Sequence, residues 1–511
     1  MLLVTWILLL LSDPKIGLYK RESKYFLSKM IKTIWSSNHF DSEMNSSSHY
    51  KFVLYKAHRK LGLNPETVYN NVIEKLMSPW LKIASKMNGK SISVNEEYGI
   101  FSSAHFFEMQ LLSSGHFNHF RMTRYKKNIT NNGSIQWIKH SGKPMIESVI
   151  MPCSNLAKHG LTPDFLKVNQ SNYLWHDSIL KVLEYIIDVS EDNDLPDHVD
   201  IFLTLDDYPS FQMNRQYRSS QLRQLLVNMR EISILPPVFS FCGEKNSLGI
   251  PFMYFDQLLM KPVENLIDKF IIFQNRNDID FAVTLSEFKK RNDTAIWRGG
   301  TSGQSYDMSN WLMGQRSQLV QLSMMAPHLL DARFTKCLGC TSHIKELMNI
   351  SFGSWINTPL VSSNTYFTRK FLIDIDGNGW SSRFYELLLT GATVFKIYRP
   401  NKYYYEFWYD LLIPGVHFVP ISSDFSDLFS KLIYYRQHPD EALQIANNGM
   451  QRVSFLLRAD VWPRYVTGIF RAIAALQIKP DADQEQQMTS LGLTLDHCTY
   501  LPENHCNCNH L

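Results

Sequence analysis

Apolar and polar side chains alternate over residues 199–205, and this pattern predicts a β-strand because successive side chains of a strand point to opposite faces. Pro209 interrupts the pattern, and two carboxylates, Asp206 and Asp207, lie just beyond the predicted end of the strand. Open α/β sheets bind their ligands beyond the carboxyl ends of the strands. The sequence therefore indicates acidic side chains at a ligand-binding edge.

Residues 371–397 show a second pattern, which predicts a strand, a glycine loop, a helix and another strand. The apolar run 371–375 leads into the loop 376–379, and Ser381 is expected to cap a helix that ends at Gly391. Residues 392–397 form the next strand, so the order is that of one βαβ unit. A short strand at 295–297 runs into another glycine-rich loop, 298–303.

Helical patterns dominate both ends of the chain. Residues from about 20 to 90 are helical and polar, and the pattern is helical again from 424 to about 476, where Pro439 opens one helix. Residues 261–281 link the two regions that contain the predicted strands. The expected architecture is two α/β halves with an N-terminal helical extension and a helical C-terminal finish.

The composition narrows the class of protein. The chain has 511 residues, 44% of them hydrophobic and 13% aromatic, with a net charge of +4. This hydrophobic share can build folded cores, so wholesale disorder is excluded. Such a small net charge on so long a chain argues against general nucleic-acid binding, and a mean hydropathy of −0.21 argues against a multi-span membrane protein. A large globular enzyme is the expectation.

Signals for the cellular compartment lie near the N-terminus and in the cysteines. The apolar segment 2–11 is too short to cross a bilayer, which takes about 20 residues, and fits the core of a signal peptide. A buried N-terminal segment or a truncated gene model is the alternative. Seven cysteines include one isolated pair, Cys337 and Cys340, and the tail holds further Cys and His. Asn-x-Ser/Thr sites, which suit a glycoprotein, occur at Asn45, Asn128, Asn132, Asn169, Asn292 and Asn349.

Loop 376–383 favours a phosphate site. Its glycines, Gly377 among them, let the backbone approach a ligand, and amides at the start of a helix bind anions. Arg383 falls in the first turn, where the helix dipole disfavours a cation unless an anion lies between them. Arg298, beside Gly299 and Thr301, is likewise an arginine next to a glycine-rich loop. Two arginines could therefore clamp a diphosphate without a metal.

Other interpretations of the same residues stay open at this point. Residues 374–379 match the first half of a calcium loop, but the twelfth position holds Tyr385 instead of glutamate. Asp374 and Asp376 also form an Asp-x-Asp motif, which binds a metal–diphosphate in many sugar transferases. An ordinary turn beside a surface arginine is the plain alternative. Metal-like spacing at His105-x-x-Glu108 and His116-x-x-His119 is more typical of unrelated histidines.

Asp207 is the natural general base. A carboxylate close to a second one, Asp206, should have a raised pKa and could accept a proton from an alcohol. The alternative is a turn or helix cap with no catalytic role.

These residues together resemble a known family. The stretch 374–384, Asp-Ile-Asp-Gly-Asn-Gly-Trp-Ser-Ser-Arg-Phe, followed by Leu387-Leu-Leu and Val394-Phe-Lys, is similar to the signature of glycosyltransferase family 90. This family contains the Rumi-type protein O-glucosyltransferases and fungal capsule-associated xylosyltransferases. The resemblance continues through 406–408, 416–420 and 424–428, and upstream through Trp297-Arg-Gly and Asp207-Tyr-Pro. It covers about residues 195–476.

The resemblance implies an α/β fold of GT-B type, with two Rossmann-like domains facing a cleft. It implies inverting, metal-independent transfer of glucose or xylose from UDP-glucose or UDP-xylose to a hydroxyl of a protein serine or a glycan, with no cofactor. Asp207 would be the base, and the nucleotide-sugar would be held by Arg298, Gly299, Thr301, Gly377, Ser381, Ser382 and Arg383. A non-catalytic glycan- or nucleotide-sugar-binding relative of the same fold is the rival.

The expected division of the chain follows from the pattern and the resemblance together. A signal peptide or anchor spans 1–20, the helical extension 21–90, and an acceptor-side domain 91–285. A nucleotide-sugar-binding domain spans 286–476, and a Cys/His-containing tail spans 477–511. The expected location is the lumen of the endoplasmic reticulum or Golgi, with a membrane association through the N-terminus as a further expectation. No nucleic-acid partner is expected.

Overall fold

The structure is a computed structural model of the chain. It describes residues 64, 67–88, 99–101, 117–132, 135–150, 170–204, 236–244, 249–252, 266, 269, 282–303, 307–397, 404–458, 461–478 and 496–498. The predicted signal peptide, His105, Glu108, His116 and Asp207 lie outside these residues, whereas His119 lies within them.

The α-helices of the described residues lie mainly in the second half of the chain. In chain order they are α1 Asn70–Asn88, α2 Gln170–Val189, α3 Leu285–Lys290, α4 Gln315–Met325, α5 Ser342–Phe352, α6 Ser363–Phe367, α7 Phe384–Leu389, α8 Leu428–Gln437, α9 Pro439–Leu456 and α10 Pro463–Leu476. None of the helices in this described part is long and apolar enough to cross a bilayer.

The described strands run along most of the chain. They are β1 Phe117–Thr123, β2 Tyr125–Ile129, β3 Ile135–Lys139, β4 Met145–Ile150, β5 His198–Thr204, β6 Val238–Ser240, β7 Gly243–Glu244, β8 Gly249–Pro251, β9 Ala295–Gly299, β10 Leu330–Phe334, β11 Phe371–Ile375, β12 Thr393–Ile397, β13 Tyr404–Tyr405, β14 Val419–Ile421 and β15 Asp496–Cys498. The chain forms two compact units. One contains 63–264, 405–410 and 456–511, and the other contains 265–404 and 411–455.

The first unit contains a six-stranded mixed sheet in the order β15-β4-β1-β5-β6-β8. The strand predicted at 199–205 is confirmed as β5, which pairs antiparallel with β1 and parallel with β6. Val199, Ile201, Phe202 and Leu203 are all buried, so both faces of β5 are covered. The sheet therefore differs from an all-parallel Rossmann sheet, because β1 and β4 pair in antiparallel register.

The C-terminal helix belongs to this first unit, which differs from the predicted boundary at 476. The helix α10 packs on α1 and β5 through a face that is almost wholly buried. Close contact depends on Gly468, because a Cβ there would lie 2.4 Å from Cδ1 of Ile73 in α1. The sequence assigned α10 to the second half by continuity along the chain, whereas its apolar face selects the first unit.

The second unit contains a five-stranded sheet in the order β10-β9-β11-β12-β14, in which every pair is parallel. The predicted βαβ unit is confirmed as β11, α7 and β12, with Phe371 opposite Thr393. The strands β9, β11 and β12 are buried almost throughout, as expected when helices cover both faces. The α/β class is thus confirmed, while the facing two-domain GT-B arrangement stays a prediction.

Candidate functional site

Two glycine loops meet beyond the carboxyl ends of β9 and β11, which are neighbours in the parallel sheet. The backbone amide of Gly303 donates to Oδ1 of Asn378 over 2.9 Å. Gly303 has φ +110°, and a Cβ built on it would lie 3.2 Å from the carbonyl oxygen of Gly377. Glycine is needed at 303 for both its backbone conformation and this close approach. The two loops predicted separately therefore form one edge of the sheet.

Arg316, in the first turn of α4, bonds both glycine loops. Its Nη1 donates to the carbonyl of Gly300 over 2.8 Å and to Oγ of Ser302 over 2.7 Å. Its Nε and Nη2 donate to the carbonyls of Asp376 and Ile375 over 3.1 and 3.2 Å. The sequence prediction missed Arg316. The signal was its cationic side chain in the first turn of a helix, the same anomaly that singled out Arg383.

Two guanidinium groups lie against one buried indole beneath these loops. The Cζ atoms of Arg316 and Arg383 are 5.5 and 5.9 Å from the ring of Trp297, within the range of cation–π attraction. A Cβ at Gly299 would lie 2.6 Å from this ring, so the absence of a side chain there makes room for the tryptophan. Gly299 was predicted to contact the ligand, and its packing against Trp297 is a separate reason for glycine at this position.

A buried ion network fixes the start of the second loop. Nζ of Lys396 lies 2.7 Å from Oδ2 of Asp374 and 2.6 Å from Oδ1 of Asp376, and all three side chains are fully buried. Burial alone would lower the pKa of Lys396, but the two carboxylates outweigh it and raise the pKa above its usual value. The Asp-x-Asp residues are therefore bonded to a lysine cation. No group of three metal-ligating side chains occurs within the described residues.

Ser381 has a different local role from the one predicted. Its hydroxyl donates to Oδ1 of Asp374 over 2.5 Å, which ties the loop to β11. The helix α7 begins at Phe384 with Arg383 at the N-cap position, so the prediction that Ser381 caps the helix is wrong. As a cap the hydroxyl would accept from a backbone amide, whereas here it donates to the carboxylate of Asp374. Its neighbour Ser382 is exposed at the surface of the loop.

Arg298 is bonded to the sheet in this structure. Its Nη2 donates to Oδ2 of Asp331 over 2.7 Å and its Nη1 to the carbonyl of the same residue over 2.6 Å. Asp331 lies opposite Ile296, two residues back towards the amino end of β9. Burial opposes ionisation of Asp331, but Arg298 and Arg333 hold its pKa below the usual value. A direct contact of Arg298 with a diphosphate stays a prediction.

The last two predicted residues of the loops differ in accessibility. Thr301 is fully buried, and its hydroxyl bonds the backbone of Leu338. Arg383 is partly exposed, and its Nη1 donates to the carbonyl of Arg298. Of the two predicted arginines, Arg383 is thus the one whose side chain is partly exposed, whereas Arg298 is buried.

The chain is similar to proteins of one glycosyltransferase family. The chain matches the sequence profile of Glycosyl transferase family 90 over residues 177–495. It is 26% identical over 298 residues to Protein O-glucosyltransferase 2 of Danio rerio, which is 58% of this chain and 50% of the relative. It is 29% identical over 185 residues to Protein O-glucosyltransferase 1 of Homo sapiens, covering 36% and 42%.

Protein O-glucosyltransferase 3 of Homo sapiens is 26% identical over 224 residues, or 43% of this chain and 39% of the relative. The chain thus spans half or less of the length of these curated relatives. The family profile covers more than half of the chain and includes β5, the whole parallel sheet and both glycine loops. The chain belongs to glycosyltransferase family 90.

Proposed function

We propose that this protein is an inverting glycosyltransferase that moves glucose or xylose from a UDP-sugar to an acceptor hydroxyl. The proposal depends mainly on one observation, which is that Arg316 bonds two glycine loops together at the carboxyl edge of a parallel sheet in a family 90 chain. This edge is where parallel α/β sheets take nucleotides. The relatives named as O-glucosyltransferases support glucose and a protein acceptor.

The diphosphate of the donor would bind at the two loops. Arg383 supplies a planar set of donors beside the exposed Ser382, and loop glycines such as Gly377 let the backbone approach the phosphates. These groups would stabilise the charge that grows on the leaving UDP, an effect often worth several kcal/mol in enzymes. In the conformation seen here, Arg298 and Thr301 bond to the protein and would support the loops instead of contacting the diphosphate.

The chemistry would be a single displacement at the anomeric carbon of the sugar. Asp207 would take the proton of the acceptor hydroxyl as its oxygen bonds the anomeric carbon and the bond to the β-phosphate oxygen breaks. Attack from the face opposite UDP inverts the configuration. The confirmed strand β5 ends at Thr204, three positions before Asp207, which agrees with a base placed beyond a strand end.

Metal independence is part of the proposal. The carboxylates of Asp374 and Asp376 share the buried ammonium of Lys396, so binding a divalent cation there would require displacing a lysine that is fully buried. The role of a metal in neutralising the diphosphate would fall to Arg383 and to backbone amides. A lumenal location in the secretory pathway, with a protein or polysaccharide acceptor, completes the proposal.

The experiment is a donor screen that measures UDP release. Purified protein is incubated with UDP-glucose, UDP-xylose and other UDP-sugars, with serine-containing extracellular domains or oligosaccharides as acceptors, in EDTA and in Mn²⁺. The proposal predicts acceptor-dependent UDP release with glucose or xylose donors and equal rates in EDTA. Release that depends absolutely on Mn²⁺ would contradict metal independence. UDP binding without release from any donor would favour the non-catalytic alternative.

A further inference from the structure

The isolated Cys-x-x-Cys pair forms a disulfide in the loop between β10 and α5. Cys337 and Cys340 are bonded and enclose a tight turn, in which Gly339 has φ +65°. A residue with a side chain is disfavoured in this left-handed conformation, so the turn is fixed by a glycine as well as by the disulfide. Thr341 caps α5 by accepting from the amide of Ile344. The turn is therefore held between a strand end and a capped helix.

This turn is hydrogen-bonded to the first glycine loop through Thr301. The hydroxyl of Thr301 donates to the carbonyl of Leu338 over 3.0 Å and accepts from the amide of Leu338 over 2.7 Å. The amide of Thr301 donates to the carbonyl of Lys336 over 3.2 Å. Because Thr301 is fully buried, breaking these bonds without replacement would leave polar groups unpaired. The loop thus rests on the disulfide turn.

The side chain of Leu338, which lies between the two cysteines in sequence, also lies close to the loop. A Cβ at Gly300 would lie 2.7 Å from Cδ1 of Leu338, so the leucine occupies the space beside this glycine. On the other side of the turn, Sγ of Cys337 lies 3.4 Å from the sulfur of Met348 in α5. A disulfide that closes so short a loop adds less to global stability than one that closes a long loop. Its contacts indicate a local role.

We propose that the Cys337–Cys340 disulfide positions the donor-binding loop 299–303. It holds both backbone groups of Leu338 in the geometry that Thr301 requires, and Thr301 in turn fixes the loop that meets Gly377 across the sheet edge. The proposed function supplies the identity of the ligand, a UDP-sugar. The disulfide and Thr301 are positioning groups, since neither contacts the reacting atoms in this account.

The test compares a Cys337→Ser/Cys340→Ser double variant, Thr301→Val, and the combination of all three. Lys345→Ala, which changes an exposed residue on α5, is the matched control. The hydrogen-exchange rates of the backbone amides at 301 and 338 measure, without any ligand, how firmly the turn and the loop are bonded. Donor KM, kcat and UDP affinity measure how loss of these bonds affects donor binding.

We expect faster exchange at both amides in the double variant and in Thr301→Val, with no change in Lys345→Ala. Donor KM should rise about tenfold, as for a lost pair of buried hydrogen bonds, while kcat stays within about twofold. The combined variant should show no further loss, because both changes break the same link. Unchanged exchange in the serine variant, or effects that multiply in the combination, would overturn the proposal.

Two outcomes separate this inference from the proposed function. If the wild-type protein binds no UDP, the proposed function fails, yet amide exchange still decides whether the disulfide holds the loop. If the wild type binds UDP and the serine variant binds it equally well, only the inference fails. If the double serine variant does not fold, Thr301→Val alone tests the inference. The inference is then overturned if the Leu338 amide of Thr301→Val exchanges at the wild-type rate and the donor KM of this variant is unchanged.

Discussion

Nζ of Lys396 lies 2.7 Å from Oδ2 of Asp374, and neither side chain reaches solvent. The two residues stand opposite each other on β11 and β12, so the parallel pairing itself brings the charges together. Lys396 also bonds Asp376, the first residue of the second glycine loop, and its ammonium lies 4.8 Å from the ring of Phe384. One buried cation thus fixes the strand end, the loop and the start of α7.

Replacing Lys396 by methionine should strongly destabilise the protein. Two buried carboxylates would lose their cation, and breaking a buried ion pair by removing one partner typically costs about 3–5 kcal/mol. The measurement is the free energy of unfolding by urea, with Lys345→Met on the exposed face of α5 as the control. A loss below about 0.5 kcal/mol, the range of ordinary surface changes, would show that the network contributes little.

Stability at acid pH should depend on Asp200. Burial opposes its ionisation, but Arg121, whose Nε lies 2.8 Å from Oδ1, outweighs burial. His119 and His198 also hydrogen-bond the carboxylate, and its pKa is held well below the usual value. A lowered pKa contributes stability that is present above the unfolded value of about 3.9 and is lost as pH falls through the folded value.

Asp200→Asn should therefore flatten the decline of unfolding free energy between about pH 4 and pH 2, because the variant has no carboxylate to protonate. The measurement is urea unfolding across that range, with the exposed Asp188→Asn as the control. Equal slopes for the wild type and Asp200→Asn would contradict the assignment of this group to acid sensitivity.

Arg316→Met should loosen both glycine loops. The substitution removes the bonds to the carbonyls of Gly300, Ile375 and Asp376 and the guanidinium over Trp297, but keeps an unbranched apolar side chain at this position. We expect UDP affinity to fall about tenfold or more, since the loop backbones would no longer be held in the binding geometry. Calorimetric titration with UDP measures this, with Arg436→Met on α8 as the control. Unaltered affinity in Arg316→Met would place the diphosphate elsewhere.

Arg383→Ala tests a direct contact with the ligand. It removes a partly exposed guanidinium beside the loops, so UDP binding should weaken by about 10- to 100-fold, as for a charge-assisted bond. Among the described residues, Arg383 donates a side-chain hydrogen bond to the carbonyl of Arg298 and lies over Trp297, and it belongs to no buried ion pair there, so stability should change less than in Lys396→Met. A loss of stability as large as that of Lys396→Met, with unchanged UDP binding, would make Arg383 a structural residue.

Local patterns predicted the elements that build the site. The βαβ unit 371–397 and strand 199–205 depend on periodicity and glycine positions that act over a few residues, and both occur in the structure. The antiparallel pairing of β5 with β1 was not predicted, because the pairing of Arg121 with Asp200 joins segments about eighty positions apart. Pairing over such distances leaves no local pattern in one sequence.

The network behind the loops was harder to predict than the loops themselves. Arg316 lies some sixty positions before Asp376, and only the folded sheet brings its guanidinium to that carbonyl. The hydroxyl of Ser381 fits two local partners, a helix amide or a carboxylate, and the buried charge of Asp374 decides between them. Lys396 was recognised as part of the family pattern, but its ion pairs follow from strand register.

The most direct test of the account compares Asp207→Asn with the wild type in two measurements on the same preparation, UDP affinity and transfer of glucose or xylose to the best acceptor from the donor screen. The amide keeps the shape of the side chain but cannot take the proton of the acceptor. We predict that transfer falls by at least about a hundredfold while UDP affinity stays within about twofold of the wild type. Transfer that survives in Asp207→Asn, or equal loss of transfer and UDP binding, would contradict it.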